Sequence, residues 1–393
     1  MIVIAGKNNI AVYGLELALR KYDRNQIAVV CNKNETGVDG WQRSLRKFAL
    51  DNQVQEITLE EAYARTSICF LSLEFDSLVV PERFKTVNIF NIHFSLLPKY
   101  KGMFTSVWPI YNADKKSGVT LHYLDKGIDT GDVISQVEFS IESNWVSRDV
   151  YFAYIKYSCS LLEENFESIV SGLCKGKPQE CMGSTYYSNK SIDFSNLLLP
   201  KKATAWEYRN YIRAFSFREY QFVSVGGNKV VWAEILPAKS TAKCGELFNA
   251  TKNYVDMASI DYDLRLYFDC LDEFLAACKV NDLVAVKRLR FNISGINDAI
   301  VNGWTPLIVA SFFGSFEVVR YLLSEGADPQ RPNIKGTTPL MYAKDAFFSG
   351  RCFKTFGLLM SAGADLVQVD YSGKQLYDYL TSAQICDLQK SLG

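Results

Sequence analysis

The chain opens Met1-Ile2-Val3-Ile4-Ala5-Gly6-Lys7-Asn8-Asn9, and the apolar run from Ile2 to Ala5 that stops on Gly6 reads as a first strand. An amphipathic stretch from Ala11 to Lys21 predicts a helix, and the run from Gln26 to Cys31 predicts a second strand. Ser67 to Ser72 and Val87 to Ile92 repeat the strand pattern. Short apolar runs alternating with longer amphipathic stretches predict a mostly parallel sheet covered by helices, an α/β, Rossmann-like domain over residues 1–182. The turn Gly6-Lys7-Asn8-Asn9 is not the G-x-G-x-x-G that clamps a dinucleotide pyrophosphate, so NAD is not expected as a cofactor.

The rhythm then changes. Residues 183–266 read as a small α+β domain with a helix from Ala205 to Ala214 and two strands, Tyr220 to Val225 and Lys229 to Ile235. Gly226-Gly227-Asn228 between those strands is a hairpin signal, because these residues tolerate positive φ. Residues 267–393 carry a repeat: Gly303-Trp304-Thr305-Pro306-Leu307 recurs 33 residues later as Gly336-Thr337-Thr338-Pro339-Leu340. This resembles the all-α ankyrin repeat, with a degenerate first unit around Phe274 and Ala277. Gly326-Ala327-Asp328 recurs at Gly363-Ala364-Asp365, a spacing of 37 that predicts an insertion near Phe347 to Arg351.

With 393 residues, 48% hydrophobic and 22% charged, the chain can bury large cores. Lys plus Arg and Asp plus Glu each number 43, so the basic surplus of a nucleic-acid binder is missing and no nucleic-acid partner is expected. The start lacks the pattern of a signal peptide and no apolar run reaches membrane-spanning length, which predicts a soluble, cytoplasmic chain with no membrane partner. Ten cysteines without a Cys-x-x-Cys pair, and only His93 and His122 to join them, predict reduced thiols and no metal site.

Chemistry is densest between Asn88 and Gln136. Asn91 and His93 sit two apart at the end of an otherwise apolar run, so period-two geometry sends both to one face at a strand's carboxyl end. Phe94-Ser95-Leu96-Leu97-Pro98-Lys99-Tyr100-Lys101-Gly102 follows, and Asp129-Thr130-Gly131 comes 36 residues after the histidine. The block Asn-x-His-x-Ser-Leu-Leu-Pro-x-Tyr-x-Gly with this later Asp-Thr-Gly resembles the formyltransferases that use N10-formyltetrahydrofolate, and within them the sugar N-formyltransferases. A lone Asn or His near a strand end is more often a satisfied structural group. With Asp129 at the family spacing, all three positions match the family's catalytic residues.

Formyl transfer to an amine needs a donor for the developing oxyanion and a base for the departing proton. Asn91 suits the first task and His93 the second, while Asp129 suits holding the imidazole's tautomer or relaying a proton. The resemblance implies N10-formyltetrahydrofolate as co-substrate and a dTDP-linked amino sugar as acceptor, with dTDP-3-amino-3,6-dideoxyglucose first in view of the ankyrin module. It further implies a place in bacterial O-antigen sugar biosynthesis. A dTDP-4-amino or UDP-amino sugar, or a non-catalytic ankyrin scaffold, are the competing readings.

Lys99, Lys101, Met103 and Thr105 on the loop after His93, with Arg213, are expected to border the substrate, and Trp108, Phe217 or Tyr220 to stack on a base. Arg218 shares this expectation of a phosphate contact. Leu73, Phe75 and Asp76 are expected near the folate. Trp304 is expected to mark a surface for a second ligand or a partner. His122 reads as structural, Asp125 and Asp132 as turn carboxylates, and open strand edges predict a homodimer.

Overall fold

The computed structural model describes residues 1–300 and 302–392; Val301 and Gly393, both within the expected third segment, lie outside the described residues. The chain divides into two compact units, residues 1–197 and residues 198 onward.

The first unit is mixed α/β. Its strands are β1 (Ile2–Gly6), β2 (Ile27–Cys31), β3 (Gln55–Glu56), β4 (Cys69–Leu73), β5 (Ile89–His93), β6 (Lys101–Gly102), β7 (Lys116–Tyr123), β8 (Val133–Ser140) and β9 (Tyr186–Tyr187). Its helices are α1 (Asn8–Lys21), α2 (Leu45–Asp51), α3 (Leu59–Ala64), α4 (Trp108–Tyr111) and α5 (Ser147–Ser171). Seven strands form one sheet in the order β3-β2-β1-β4-β5-β7-β8, parallel from β3 to β5 and antiparallel at β7 and β8. The chain winds outward in opposite directions from β1 and β4, which opens a crevice beyond their carboxyl ends. Gly6 makes this close pairing possible: at φ +148° a Cβ there would lie 1.8 Å from the Leu73 carbonyl oxygen. Helix α1 starts three residues before the amphipathic pattern does, because Asn8 and Asn9 are polar first-turn residues that hydrophobic periodicity does not register.

On β7, His122 faces Asn91 of β5 in register and is fully buried. Burial lowers its pKa to about 4, the imidazole losing more by leaving water than Asp129 returns.

The second unit begins with α6 (Ala205–Ala214), opened by a capping box in which Thr204 and Glu207 satisfy each other's backbone N–H groups. Its apolar face packs on an antiparallel sheet of β10 (Val223–Val225), β11 (Asn228–Ile235), β14 (Asp263–Phe268), β13 (Tyr254–Ala258) and β12 (Leu247–Phe248), in that order. Gly226 and Gly227 turn the first hairpin at φ +57° and +80°. The strand expected from Tyr220 begins only at Val223. Phe217 and Gln221 instead close a tight turn, each donating its N–H to the other's carbonyl at 3.0 and 2.7 Å.

Helix pairs follow: α7 (Leu271–Lys279) with α8 (Leu283–Arg288), α9 (Pro306–Phe313) with α10 (Phe316–Ser324), and α11 (Pro339–Phe348) with α12 (Lys354–Ser361), then α13 (Ser382–Leu392). Thr305 and Thr338 cap α9 and α11 by accepting the N–H of Ile308 and Met341, each at 3.2 Å, with proline at the first helical position. The extra residues of the longer repeat fall at the α11–α12 turn, Ser349 to Phe353, where α9 and α10 are joined by Gly314 and Ser315 alone.

Arg218 ties the hairpin sheet to the helical repeats. Its guanidinium makes paired bonds to Asp269 at 2.7 and 2.8 Å and to Asp298 at 2.8 and 2.6 Å. Burial works against the charge, but the two carboxylates hold the guanidinium above its ordinary pKa. A fork of donors that meets two acids is a clamp already spent, so the expected phosphate contact is corrected to an internal one.

Two outcomes follow from this packing. Arg218→Met leaves two facing carboxylates uncompensated and lowers stability by about 3–5 kcal/mol in urea denaturation, where a loss below about 1 kcal/mol contradicts the clamp. For His122, the unfolded chain takes up a proton below the ordinary 6.5 while the folded chain resists until about 4. Stability therefore falls as pH drops through that window, and the fall is larger in the wild type than in His122→Leu, measured as unfolding free energy against pH.

Candidate active site

Strand β5 carries Asn91 and His93 to the carboxyl edge of the sheet, beside the end of β4. His93 is nearly buried, and its Nε2 lies 2.8 Å from the carbonyl oxygen of Tyr100. A carbonyl only accepts, so Nε2 carries the hydrogen and Nδ1 is left as the basic nitrogen. Nδ1 faces Oδ1 of Asp129 at 3.5 Å. The same oxygen is 3.8 Å from Nε2 of His122, and Oδ2 of Asp129 accepts the Gly102 N–H at 2.8 Å. The tautomer of His93 is thus set by Tyr100, and of the two roles expected of Asp129, holding the tautomer or relaying a proton, the first falls to that carbonyl.

His122 has the opposite tautomer. Its Nδ1–H donates to the Tyr123 carbonyl at 2.8 Å, so Nε2 accepts from the Asn91 carboxamide at 3.0 Å. Burial keeps this imidazole neutral and able to accept. One Asn91 N–H is thereby held, the amide orientation is fixed, and the second N–H remains as a donor. Asn91, His93, His122 and Asp129 form one connected cluster.

The loop residues are spread more widely. Lys99 pairs with Asp114 at 2.7 Å, its ammonium 4.9 Å above the Tyr100 ring. Lys101 is half-buried on β6, where its backbone N–H reaches the Thr185 carbonyl at 2.9 Å. Met103 is exposed, and its carbonyl accepts the Trp108 indole N–H at 2.9 Å. Thr105 is half-buried and its carbonyl accepts the Tyr154 hydroxyl at 3.1 Å. Trp108 is buried with one face stacked on Tyr187, ring centroids 3.8 Å apart, so that face is closed to a base. At the end of β4, Leu73 is fully buried, Phe75 packs on Phe70, and the Asp76 N–H reaches Asn32.

In the second unit, Arg213 is buried on α6 and donates to Asn210 at 3.1 Å. Phe217 is buried against Tyr220, whereas Tyr220 is 60% exposed and presents its ring to solvent. Trp304 is half-buried, its ring 4.8 Å from Tyr342 and 5.7 Å from Phe312.

Sequence reasoning places Glu74 in the loop expected near the folate but gives its side chain no role. Glu74 adopts φ +55° and its carboxylate accepts from Asn8 at 3.3 Å and from the Tyr151 hydroxyl at 2.9 Å. Burial pushes this carboxyl up to about 7 against those donors. The one available signal was the polar pair Asn8-Asn9 directly after the first strand, a place where an α/β sheet meets its ligands. Among the described residues no cluster of three His, Cys, Asp or Glu is placed to hold a metal ion, and no helix is long and apolar enough to cross a membrane.

Residues 2–156 match the family described as formyl transferase, and residues 274–370 match ankyrin repeats in three copies. An N-formyltransferase from Helicobacter canadensis, solved with folinic acid and dTDP-3-aminofucose, is 41% identical with a TM-score of 0.63, over 68% of this chain and 98% of that one. WlaRD, a sugar 3N-formyl transferase solved with dTDP and 5-N-formyl-THF, is 42% identical with a TM-score of 0.63, over 68% and 97% of the two chains. Methionyl-tRNA formyltransferase of Clostridioides difficile is 30% identical over 184 residues, 44% of this chain, and the chain spans only 55% of that relative's length. Nearly the whole length of two solved N-formyltransferases is thus matched at above 40% identity, and the chain belongs to the N-formyltransferase family.

Proposed function

We propose that this chain transfers the formyl group of N10-formyltetrahydrofolate to the amine of a dTDP-linked amino-dideoxy sugar, with dTDP-3-amino-3,6-dideoxyglucose as the acceptor. The observation that carries this reading is the cluster of Asn91, His93 and Asp129 around one point beyond β5, where Nδ1 of His93 is the basic atom. The donor set fits a nitrogen-to-nitrogen acyl transfer, which needs a proton acceptor and an oxyanion donor and no side-chain nucleophile. The co-substrate supplies the formyl carbon. The half-buried Asn8 and Glu74 offer the polar edge a pterin requires, with Leu73, Phe75 and Asp76 beside them.

His93 accepts through Nδ1 the proton released when the sugar nitrogen bonds the formyl carbon. The resulting imidazolium is paired on that same atom with Asp129. Asn91 turns its second N–H toward the oxygen that gains charge, a contact that typically stabilises such a state by about 2.7–4 kcal/mol. As the carbon–nitrogen bond to N10 breaks, His93 returns the proton to that nitrogen, and the products are a formamide on the sugar and tetrahydrofolate. His122 takes no proton and keeps the Asn91 carboxamide aimed.

The choice of acceptor is supported by the dTDP-3-aminofucose held by one relative and the 3N specificity of the other. A tRNA acceptor, suggested by the curated relatives, sits poorly with a net charge of zero. We further propose a cytoplasmic homodimer in O-antigen sugar biosynthesis, joined through an open edge of the hairpin sheet, with the Trp304 surface of the repeats taking a second ligand or partner.

His93→Ala and Asp129→Asn are expected to fold as the wild type does and to lose formyl transfer by at least about 100-fold. Turnover of dTDP-3-amino-3,6-dideoxyglucose followed by tetrahydrofolate release measures this, and near-wild-type rates in either variant remove the assigned chemistry.

A further inference from the structure

We propose that Gln179 is a positioning residue for formyl transfer, holding the Asp129 turn in register with His93 from a strap that runs from Cys174 to Tyr187. This rests on the reading of the site as a formyl-transfer centre. Asp129 sits at φ +53°, a left-handed conformation that an aspartate keeps only when its surroundings hold it. The holding group is the Gln179 carboxamide. Its Nε2 donates to the carbonyl of Asp129 at 2.9 Å and to that of Gly131 at 2.8 Å, bracketing the turn. Two carbonyl partners admit only the NH2 end, so the amide has one possible orientation.

The strap holds the other half of the site as well. Lys177 and Val133 exchange backbone N–H···O bonds at 2.8 Å, which anchors the strap one residue from Gln179's neighbour Pro178. Further on, the Thr185 hydroxyl accepts the Tyr100 N–H at 2.7 Å, the Thr185 carbonyl accepts the Lys101 N–H at 2.9 Å, and the Tyr187 carbonyl accepts the Met103 N–H at 2.8 Å. Tyr100 is the residue whose carbonyl fixes His93, and Gly102, inside this stretch, donates to Asp129. One segment therefore sets the spacing of the two loops whose separation decides the distance from Nδ1 to Oδ1. It lies beyond residues 2–156, the part that matches the formyl transferase family.

The test is kcat/KM for dTDP-3-amino-3,6-dideoxyglucose with N10-formyltetrahydrofolate, measured against pH for the full-length wild type, Gln179→Met and Gln179→Glu. Gln179→Met keeps the length and loses both donors, and a drop of about 10- to 100-fold is expected from a slackened turn. Gln179→Glu sets a carboxylate against two carbonyls and regains one donor only when protonated, so its deficit narrows as pH falls. A loss of folded protein would scale the whole profile and leave its shape unchanged. Wild-type transfer with Gln179→Met within about twofold of it, or with Gln179→Glu parallel to it at every pH, overturns the clamp and leaves formyl transfer standing. Absence of transfer by the wild type overturns both.

Discussion

The Tyr100 carbonyl, 2.8 Å from Nε2 of His93, decides which nitrogen of that imidazole carries hydrogen and which is left to act as a base. The carbonyl is presented by a loop whose backbone turns left-handed at Tyr100, and the Tyr100 N–H is taken by Thr185. With Nε2 committed, Asp129 has to meet Nδ1, and it does so from a turn that is itself left-handed. The geometry of the proposed catalytic cluster depends on backbone groups as much as on its side chains.

A second imidazole does the opposite job with the same chemistry. His122 is fully buried, stays neutral, and lends its lone pair to Asn91. Each histidine has one nitrogen fixed by a carbonyl, but the nitrogens differ: Nε2 in His93 and Nδ1 in His122. The remaining nitrogen faces the Asp129 carboxylate in one and an amide N–H in the other. Position in the sheet, and not residue type, separates the proposed base, His93, from His122, which holds the Asn91 carboxamide.

Periodic features were legible in the sequence. Period-two spacing put Asn91 and His93 on one side of β5, the helix from Ala205 to Ala214 has the expected bounds, and the Thr-Pro repeat marks the starts of α9 and α11. What escaped was non-local or depended on partners. The expectation of Arg218 as a phosphate ligand followed from its charge and its place near the expected cleft, and only folding brings Asp298, 80 residues away, onto it. Trp108 offered an aromatic face that Tyr187 already covers. Gln179, 50 residues from Asp129, has no local pattern to mark it, because the two carbonyls it donates to lie on a turn that only folding brings to it. Glu74 stands just past the expected strand with no local pattern to single out its side chain, and only folding brings Asn8 and Tyr151 onto its carboxylate.

The most direct measurement follows an isotope-labelled formyl group. The purified chain is mixed with N10-formyltetrahydrofolate carrying the label and with dTDP- and UDP-linked amino sugars in turn, and product masses are read with tetrahydrofolate release. The label is expected as an amide on a dTDP-linked 3-amino sugar, one per tetrahydrofolate formed. Label that stays on the folate with every acceptor, or that leaves only as formate, contradicts it.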